Sequence, residues 1–135
     1  MNSGANAQVA AQVTREQHGD SLLVSTDNPP VNALGVDVRR GLLDAIEAAD
    51  ADPAVKAVLI VGAGRNFIGG ADIREFGKPP MAPALPDVCN RIEASTKPVI
   101  AAINGVALGG GLEVALSAHY RVALPTAKFG LPEVA

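Results

Sequence analysis

Two carboxylates in glycine-containing segments are the side chains of this sequence best suited to acid–base chemistry. Glu113 follows the three glycines of "GVALGGGLEVALSA", a stretch without another charge, and Glu133 comes 20 residues later in "KFGLPEVA". A positioned carboxylate accepts or supplies a proton, and a carboxylate in an apolar setting is costly unless it is hydrogen-bonded or functional. Both are therefore candidate catalytic groups. Taken alone, each also fits a structural role, as a hydrogen-bonded residue of a packing turn or as a solvated loop glutamate.

Backbone N–H groups are the second chemical element. A helix is predicted to begin near Gly109, where its first amides lack partners and its dipole favours an anion. On that helix Gly110 and Glu113 lie three residues apart and therefore share one side. Two glycines expose the backbone of "FIGGADIREF" after a buried strand, so the N–H of Ala71 is a candidate second donor. Either segment alone is also compatible with a simple packing turn.

The elements that position these groups follow from hydrophobic patterning. In the first half of the chain the pattern predicts a hairpin in 12–26, a helix whose apolar positions run from Val38 to Ala49, and a buried strand in "VKAVLIVGA". A helical turn in "ADIREF" and a helix at 85–95 come next. The second half then contains a buried strand in "KPVIAAI", a helix in "GLEVALSAHY" and a strand in "RVAL". We interpret "NGVALGGG" and "KFGLPEVA" as loops. The alternation of helices and strands indicates an α/β domain with largely parallel pairing.

Composition excludes several classes of function. The chain has 135 residues, a net charge of −3 and 3% aromatic residues, which argues against nucleic-acid binding by phosphate contacts or base stacking. The single cysteine, Cys89, cannot form an internal disulfide and fits a reducing compartment. "MNSGANAQVAAQV" lacks the features of a signal peptide, and no apolar run is long enough for a membrane span, so we expect a soluble, cytoplasmic protein. His18 and His119 have no ligand partner at useful spacing, and no metal is expected.

Three motifs together resemble a known family. "GADI", "NGVALGGGLEVAL" and "FGLPEV", in this order and spacing, resemble the crotonase superfamily of enoyl-CoA hydratases and isomerases, over nearly the whole chain from about Val13. "DNPPVNALG", "IREFGKPP" and "LPDVCNRIEAS" are most similar to the hydratase/isomerase part of multifunctional fatty-acid oxidation proteins, in which a 3-hydroxyacyl-CoA dehydrogenase follows. The resemblance implies the N-terminal half of an α/β crotonase-like fold, the ββα spiral also found in ClpP. Residues 1–8 would be a flexible tail and 9–135 the N-terminal portion of the domain.

The same resemblance implies a reaction. The N–H groups of Ala71 and Gly110 would form an oxyanion hole for the thioester oxygen of an acyl-CoA. Glu113 would orient and deprotonate the water that attacks the β carbon, and Glu133 would exchange the proton at the α carbon. The implied activity is syn hydration of a 2-trans-enoyl-CoA in fatty-acid β-oxidation, with Δ3-Δ2-enoyl-CoA isomerisation not excluded.

The resemblance also implies how the substrate is held and in what setting. Residues expected along the coenzyme A moiety are Gly70, Ala71, Asp72, Ile73, Arg74 and Gly110, with Arg74, Lys78 and Arg65 as candidate phosphate contacts that fit solvated surface charges equally well. No cofactor is expected, because coenzyme A is part of the substrate. The expected partner is the acyl-CoA thioester, with no nucleic acid and no membrane. The full-length protein is expected to be a trimer-type homo-oligomer or a multifunctional enzyme with a dehydrogenase domain.

Alternative functions remain open from the sequence. The chain ends at Ala135, roughly half the usual length of the family domain, so we expect the chain alone to be poorly stable and nearly inactive. It would then act only as an assembly or interaction fragment. Other crotonase-type acyl-CoA reactions, such as thioester hydrolysis, dehalogenation or decarboxylation, use the same oxyanion loops with different acids. A dinucleotide-binding site is disfavoured, because "VGAGRNF" places Phe67 where the fingerprint requires glycine.

Overall fold

The computed structural model describes residues 11–131, which form a five-stranded sheet, a two-stranded sheet and three α-helices. The strands are β1 (Val13–His18), β2 (Ser21–Thr26), β3 (Ala57–Gly62), β4 (Val99–Ile103), β5 (Val106–Leu108), β6 (Tyr120–Ala123) and β7 (Lys128–Gly130). The helices are α1 (Val36–Ala51), α2 (Leu85–Glu93) and α3 (Gly110–Ser117), and a 3-10 turn spans Ile73–Glu75. The predicted tail at residues 1–8 lies outside the described residues.

The large sheet has the strand order β1-β2-β3-β4-β6. The first two strands are an antiparallel hairpin that turns at Gly19, whose φ of 61° is a left-handed conformation that glycine adopts without strain. The other three pairings are parallel, as predicted. Parallel strands place their carboxyl ends at one edge, and the loops that follow β3 and β4 therefore emerge side by side.

The core lies between one face of this sheet and the helices. In α1 the buried residues recur at helical spacing and present a single apolar stripe: Val38, Leu42, Ala45, Ile46 and Ala49. Alternate residues of β2, β3 and β4 are buried in the same core, as the period of two requires. Each fully buried aliphatic side chain contributes about 1.5–3 kcal/mol to folding. These layers form the rigid support from which the loops project.

Two segments predicted as loops contain strands. Residues 106–108 of "NGVALGGG" and residues 128–130 of "KFGLPEVA" pair in parallel as β5 and β7. Both strands have only three residues, which is too short for a periodic pattern to identify them, and their paired positions lie 22 residues apart, as Val106 and Lys128 do. The last predicted helix is also shorter than expected: α3 ends at Ser117, and Tyr120 already belongs to β6.

Candidate active site

The two predicted oxyanion donors lie next to each other because two chain segments run in parallel register. Ile68 forms an isolated parallel bridge with Ala107, and Leu108 donates its N–H to the Ile68 carbonyl at 3.1 Å. Three residues further along each segment come Ala71 and Gly110. Both line the same two cavities, of about 310 and 420 Å³. The structure thus brings together two amides that lie 39 residues apart in the sequence.

Glycine is required where α3 starts, because the helix packs directly on backbone. A Cβ at position 111 would lie 2.3 Å from the Ile68 carbonyl oxygen. Gly109 precedes the helix with φ 53°, and its N–H donates to the Gly130 carbonyl at 2.8 Å. The three successive glycines therefore allow the first turn of α3 to approach the segment that carries Ala71.

Both amides are available to a ligand. Within residues 11–131, neither the Ala71 N–H nor the Gly110 N–H donates to a protein acceptor. Gly110 is the first residue of α3, where an amide has no intrahelical acceptor and the helix dipole favours negative charge. The Ala71 peptide is fixed on its other side, because Leu34 donates its N–H to the Gly70 carbonyl at 2.7 Å. Two fixed and unpaired donors beside one cavity suit a developing oxyanion.

Glu113 lies in the first turn of α3, and its side chain is exposed. The residues around Glu113 are apolar in sequence, but the glutamate itself occupies an exposed position of the helix. Burial is the main cause that raises the pKa of the Cys89 thiol on α2, and the negative charge of Glu113 raises this pKa further. Glu113 thus lies on the same helix turn as the Gly110 amide, and its catalytic role stays a prediction.

Glu133 lies outside the described residues, so its position also stays a prediction. The chain that leads to it is placed: β7 pairs with β5, and the Gly130 carbonyl accepts from Gly109. The segment ending at Leu131 consequently runs beside the glycines that open α3. That placement is compatible with a role for Glu133 near the two amides.

The remaining predicted coenzyme A contacts occupy different environments. The Arg74 guanidinium forms a two-point ion pair with Asp72, with Nε–Oδ1 at 2.9 Å and Nη2–Oδ2 at 2.8 Å. These hydrogen bonds lower the pKa of the Asp72 carboxyl to about 2. Asp72 is buried and also accepts from Asn28, whereas the Arg74 side chain is 60% exposed, so a buried carboxylate is paired with a guanidinium at the protein surface. Ile73 is 74% exposed beside them.

Three predicted contacts differ in their relation to the amide pair. Gly70 lines the cavity of 420 Å³ and Lys78 lines the cavity of 310 Å³. Arg65 lines a separate depression formed by the loops after β2 and β3. Arg65 is therefore not brought to the amide pair, whereas Lys78 is.

Sequence reasoning missed the polar groups that fix the loops around the site. Asn32, at φ 60°, donates to Thr26 Oγ1 at 2.8 Å and to the carbonyl of Phe67. Arg39 and Glu75 form a half-buried ion pair at 3.3 Å beside the cavity of 310 Å³. The asparagines of "DNPPVNAL" were a visible signal, because asparagine favours such loop hydrogen bonds. Nothing in the sequence pairs Arg39 with Glu75.

The described residues offer neither a grouped set of metal ligands nor a membrane-spanning helix. Between residues 11 and 131 no three His, Cys, Asp or Glu side chains are grouped so that they could hold a metal ion. His119 instead accepts from the Val99 N–H through Nδ1, at 3.0 Å, and so ties the end of α3 to β4. None of the helices in this range is long and apolar enough to span a membrane.

Comparison with known proteins decides the family. The family model for enoyl-CoA hydratase/isomerase matches residues 17–135. The chain belongs to the enoyl-CoA hydratase/isomerase family. Its fold is the N-terminal half of the crotonase-like α/β fold: it superimposes on enoyl-CoA hydratase subunit I from Geobacillus kaustophilus with a TM-score of 0.81 and 36% identity, covering 91% of this chain and 50% of that one.

Curated relatives of this family member are larger proteins. The peroxisomal bifunctional enzyme of Danio rerio is 54% identical over 112 residues, which cover 83% of this chain and 16% of that protein. The peroxisomal bifunctional enzyme of Homo sapiens is 44% identical over 125 residues, covering 92% of this chain and 17% of that protein. The chain thus spans less than a fifth of these two relatives. The names of these relatives contradict the expectation of a cytoplasmic protein. That expectation is wrong because amino-acid composition does not determine subcellular localisation.

Proposed function

We propose that this chain supplies the oxyanion hole and the acid–base groups of a 2-trans-enoyl-CoA hydratase of fatty-acid β-oxidation. The observation that carries the proposal is the pair of unpaired amides, Ala71 and Gly110, beside shared cavities. The thioester oxygen would accept hydrogen bonds from both. Negative charge grows on that oxygen when water adds to the β carbon, so the amides stabilise the transition state more than the ground state.

The two glutamates would handle the proton and the water. Glu113 would deprotonate the water that attacks the β carbon, since it occupies the helix turn that begins at the Gly110 amide. Glu133 would deliver a proton to the α carbon of the enolate, which completes addition of one water molecule. No cofactor is needed in this scheme, because coenzyme A belongs to the substrate. Relatives named bifunctional support placing this hydratase in a multifunctional protein.

The test is glutamate replacement in the full-length polypeptide that carries this sequence. Glu113→Gln and Glu133→Gln should each lower kcat for hydration of a 2-trans-enoyl-CoA by about 10²–10⁴-fold, because acid–base groups contribute that much. Glu47→Gln, an exposed glutamate of α1, is the matched control and should retain activity. Unchanged hydration in both Glu113→Gln and Glu133→Gln would refute the assignment. Absence of turnover in the wild type would favour an assembly role.

The setting of the enzyme forms part of the same proposal. Apolar side chains are exposed on β6 and β7: Tyr120, Val122 and Phe129 are each at least 50% exposed. Tyr120 and Val122 lie two residues apart on the edge strand β6 and so share one face, and an exposed apolar patch of this kind indicates contact with further polypeptide. Light scattering of the full-length protein would then show either a homo-oligomer or a single large multifunctional chain. A small monomer with these side chains in solvent would contradict this part.

A further inference from the structure

We propose that Arg39 is a positioning residue that fixes one wall of the cavity beside the amide pair and thereby sets which acyl chain lengths the site accepts. The inference rests on the proposed function, because it assumes that an acyl thioester occupies this cavity. It goes further by assigning selectivity to an arginine that does not touch the reacting atoms. The wall segment is defined as residues 79–83, "PPMAP".

The wall segment has little hydrogen bonding of its own. Three of its five residues are prolines, which have no N–H to donate. Among residues 11–131, every hydrogen bond that the wall segment makes comes from an arginine side chain of α1. Arg39 donates from Nε to the Pro83 carbonyl at 2.7 Å and from Nη2 to the Met81 carbonyl at 3.1 Å. Arg40 donates to the Ala82 carbonyl.

Arg39 is itself held in place. Its Nη1 donates to the Leu34 carbonyl at 3.2 Å and to Glu75 Oε1 at 3.3 Å, and its side chain is only 14% exposed. Glu75 is fixed in turn, because its Oε2 accepts from the Val36 N–H at 2.7 Å. One planar guanidinium therefore joins the start of α1, the 3-10 turn and the wall segment. A fork with five donors in fixed directions suits this task better than an ammonium group does.

The wall that Arg39 holds faces the reaction site. The cavity of about 310 Å³ is lined by Ala71 and Gly110 and also by Pro79, Pro80 and Met81 of the wall segment, and Arg39 itself lines it. An acyl chain that leaves the thioester on this side would meet the wall segment. Fixing the wall limits the length of chain that fits, and release of the wall would admit longer chains.

The experiment compares acyl-chain selectivity in the full-length polypeptide. Four-carbon and ten-carbon 2-trans-enoyl-CoA substrates give kcat and KM for wild type, Arg39→Leu and Arg39→Lys. We expect Arg39→Leu to raise the ten-carbon to four-carbon ratio of kcat/KM by about tenfold, since one methylene in an apolar pocket already changes specificity by about 10–200-fold. Arg39→Lys retains the charge without the fork, so its ratio should lie between the other two.

A matched control separates positioning from loss of stability. Arg91 forms an ion pair with Asp50 at 2.6 Å, is partly buried like Arg39 and lines neither cavity. Arg91→Leu should destabilise the fold and leave the selectivity ratio unchanged. The same ratio in wild type, Arg39→Leu and Arg91→Leu would overturn the proposal while leaving the hydratase function intact.

A second readout does not depend on turnover. The ¹³C-methyl signal of Met81, assigned with Met81→Leu, reports motion of the wall segment by NMR relaxation. Arg39→Leu should increase that motion, and Arg91→Leu should not. Unchanged relaxation in Arg39→Leu would refute the wall function of Arg39. If the wild type hydrates neither substrate, the proposed hydratase function is refuted. Control of acyl-chain selectivity by Arg39 is then refuted as well, even if the Met81 methyl signal shows that Arg39 holds the wall segment.

Discussion

Replacement of Gly111 by alanine tests the packing that brings the two amides together. An added Cβ would lie 2.3 Å from the Ile68 carbonyl oxygen and 2.8 Å from the Ile68 Cβ, whereas ordinary contact begins at 3.4 Å. The near atom is backbone, so it cannot move aside as a flexible side chain does. The start of α3 must therefore separate from the Ile68 segment by about 1 Å, a displacement that costs up to about 10²-fold in rate when it separates catalytic groups.

The assay is kcat/KM for hydration of a 2-trans-enoyl-CoA, measured on the folded fraction of the full-length polypeptide. Gly111→Ala should lower it by up to about 10²-fold, because the Gly110 amide moves with α3 while Ala71 does not. The free energy of unfolding should fall by a smaller amount than the transition-state stabilisation. Overpacking costs about 1–3 kcal/mol, and replacing glycine by alanine in a helix regains about 1 kcal/mol. Gly41→Ala is the control: its Cβ would lie 2.5 Å from the Val13 side chain, and neither Gly41 nor Val13 lines either cavity.

Two outcomes would refute this reasoning. A Gly111→Ala variant that folds normally and keeps kcat/KM within about threefold of wild type would show that the spacing of the two segments does not matter. A loss of activity per folded molecule in Gly41→Ala as large as that in Gly111→Ala is the second such outcome. It would show that the loss reflects general destabilisation rather than separation of the Gly110 and Ala71 amides.

Three further predictions concern ionisation and packing. The pKa of Asp72 is lowered from 3.8 to about 2, chiefly by hydrogen bonds from Arg74. The ionised carboxylate therefore stabilises the folded state fully above about pH 4, and this contribution is lost as the pH falls toward 2. Urea unfolding between pH 2 and 5 should show a shallower loss of stability in Asp72→Asn than in the wild type, and equal slopes would contradict the ion pair. Burial raises the pKa of Cys89, so iodoacetamide at about pH 8 should alkylate it more slowly in the folded than in the urea-unfolded chain. Phe67→Ala should cost about 3–5 kcal/mol of unfolding free energy, because the ring is fully buried, and a much smaller cost would mean that the core is looser than described.

Local sequence patterns predicted the layers of the fold well. The apolar stripe from Val38 to Ala49 and the alternation in the strands are signals within one element, and the structure confirms them. The pairing of β5 with β7 could not be predicted in this way. Each of these strands has three residues, and the pairing depends on contacts between residues about 20 positions apart in the chain.

The candidate site was predictable in its backbone and less so in its side chains. Neighbouring glycines made the backbone N–H groups of Ala71 and Gly110 candidate donors, and the resemblance to the crotonase superfamily implied the same two residues. The partners of charged side chains depend on the finished fold, so the ion pair between Asp72 and Arg74 was not predicted. Their position beside coenzyme A stays a prediction. For the same reason nothing in the sequence indicated that Arg39 holds the wall segment.

Binding of one oxygen atom by the Ala71 and Gly110 amides is tested most directly by NMR of the ¹⁵N-labelled full-length polypeptide. Butanoyl-CoA, a saturated thioester that cannot be hydrated, is titrated while the signals of Ala71 and Gly110 are followed. Both amide protons should move downfield together and reach half-saturation at the same ligand concentration, because one carbonyl oxygen accepts from both. A bound ligand that moves only one of the two signals, or neither, would contradict the account.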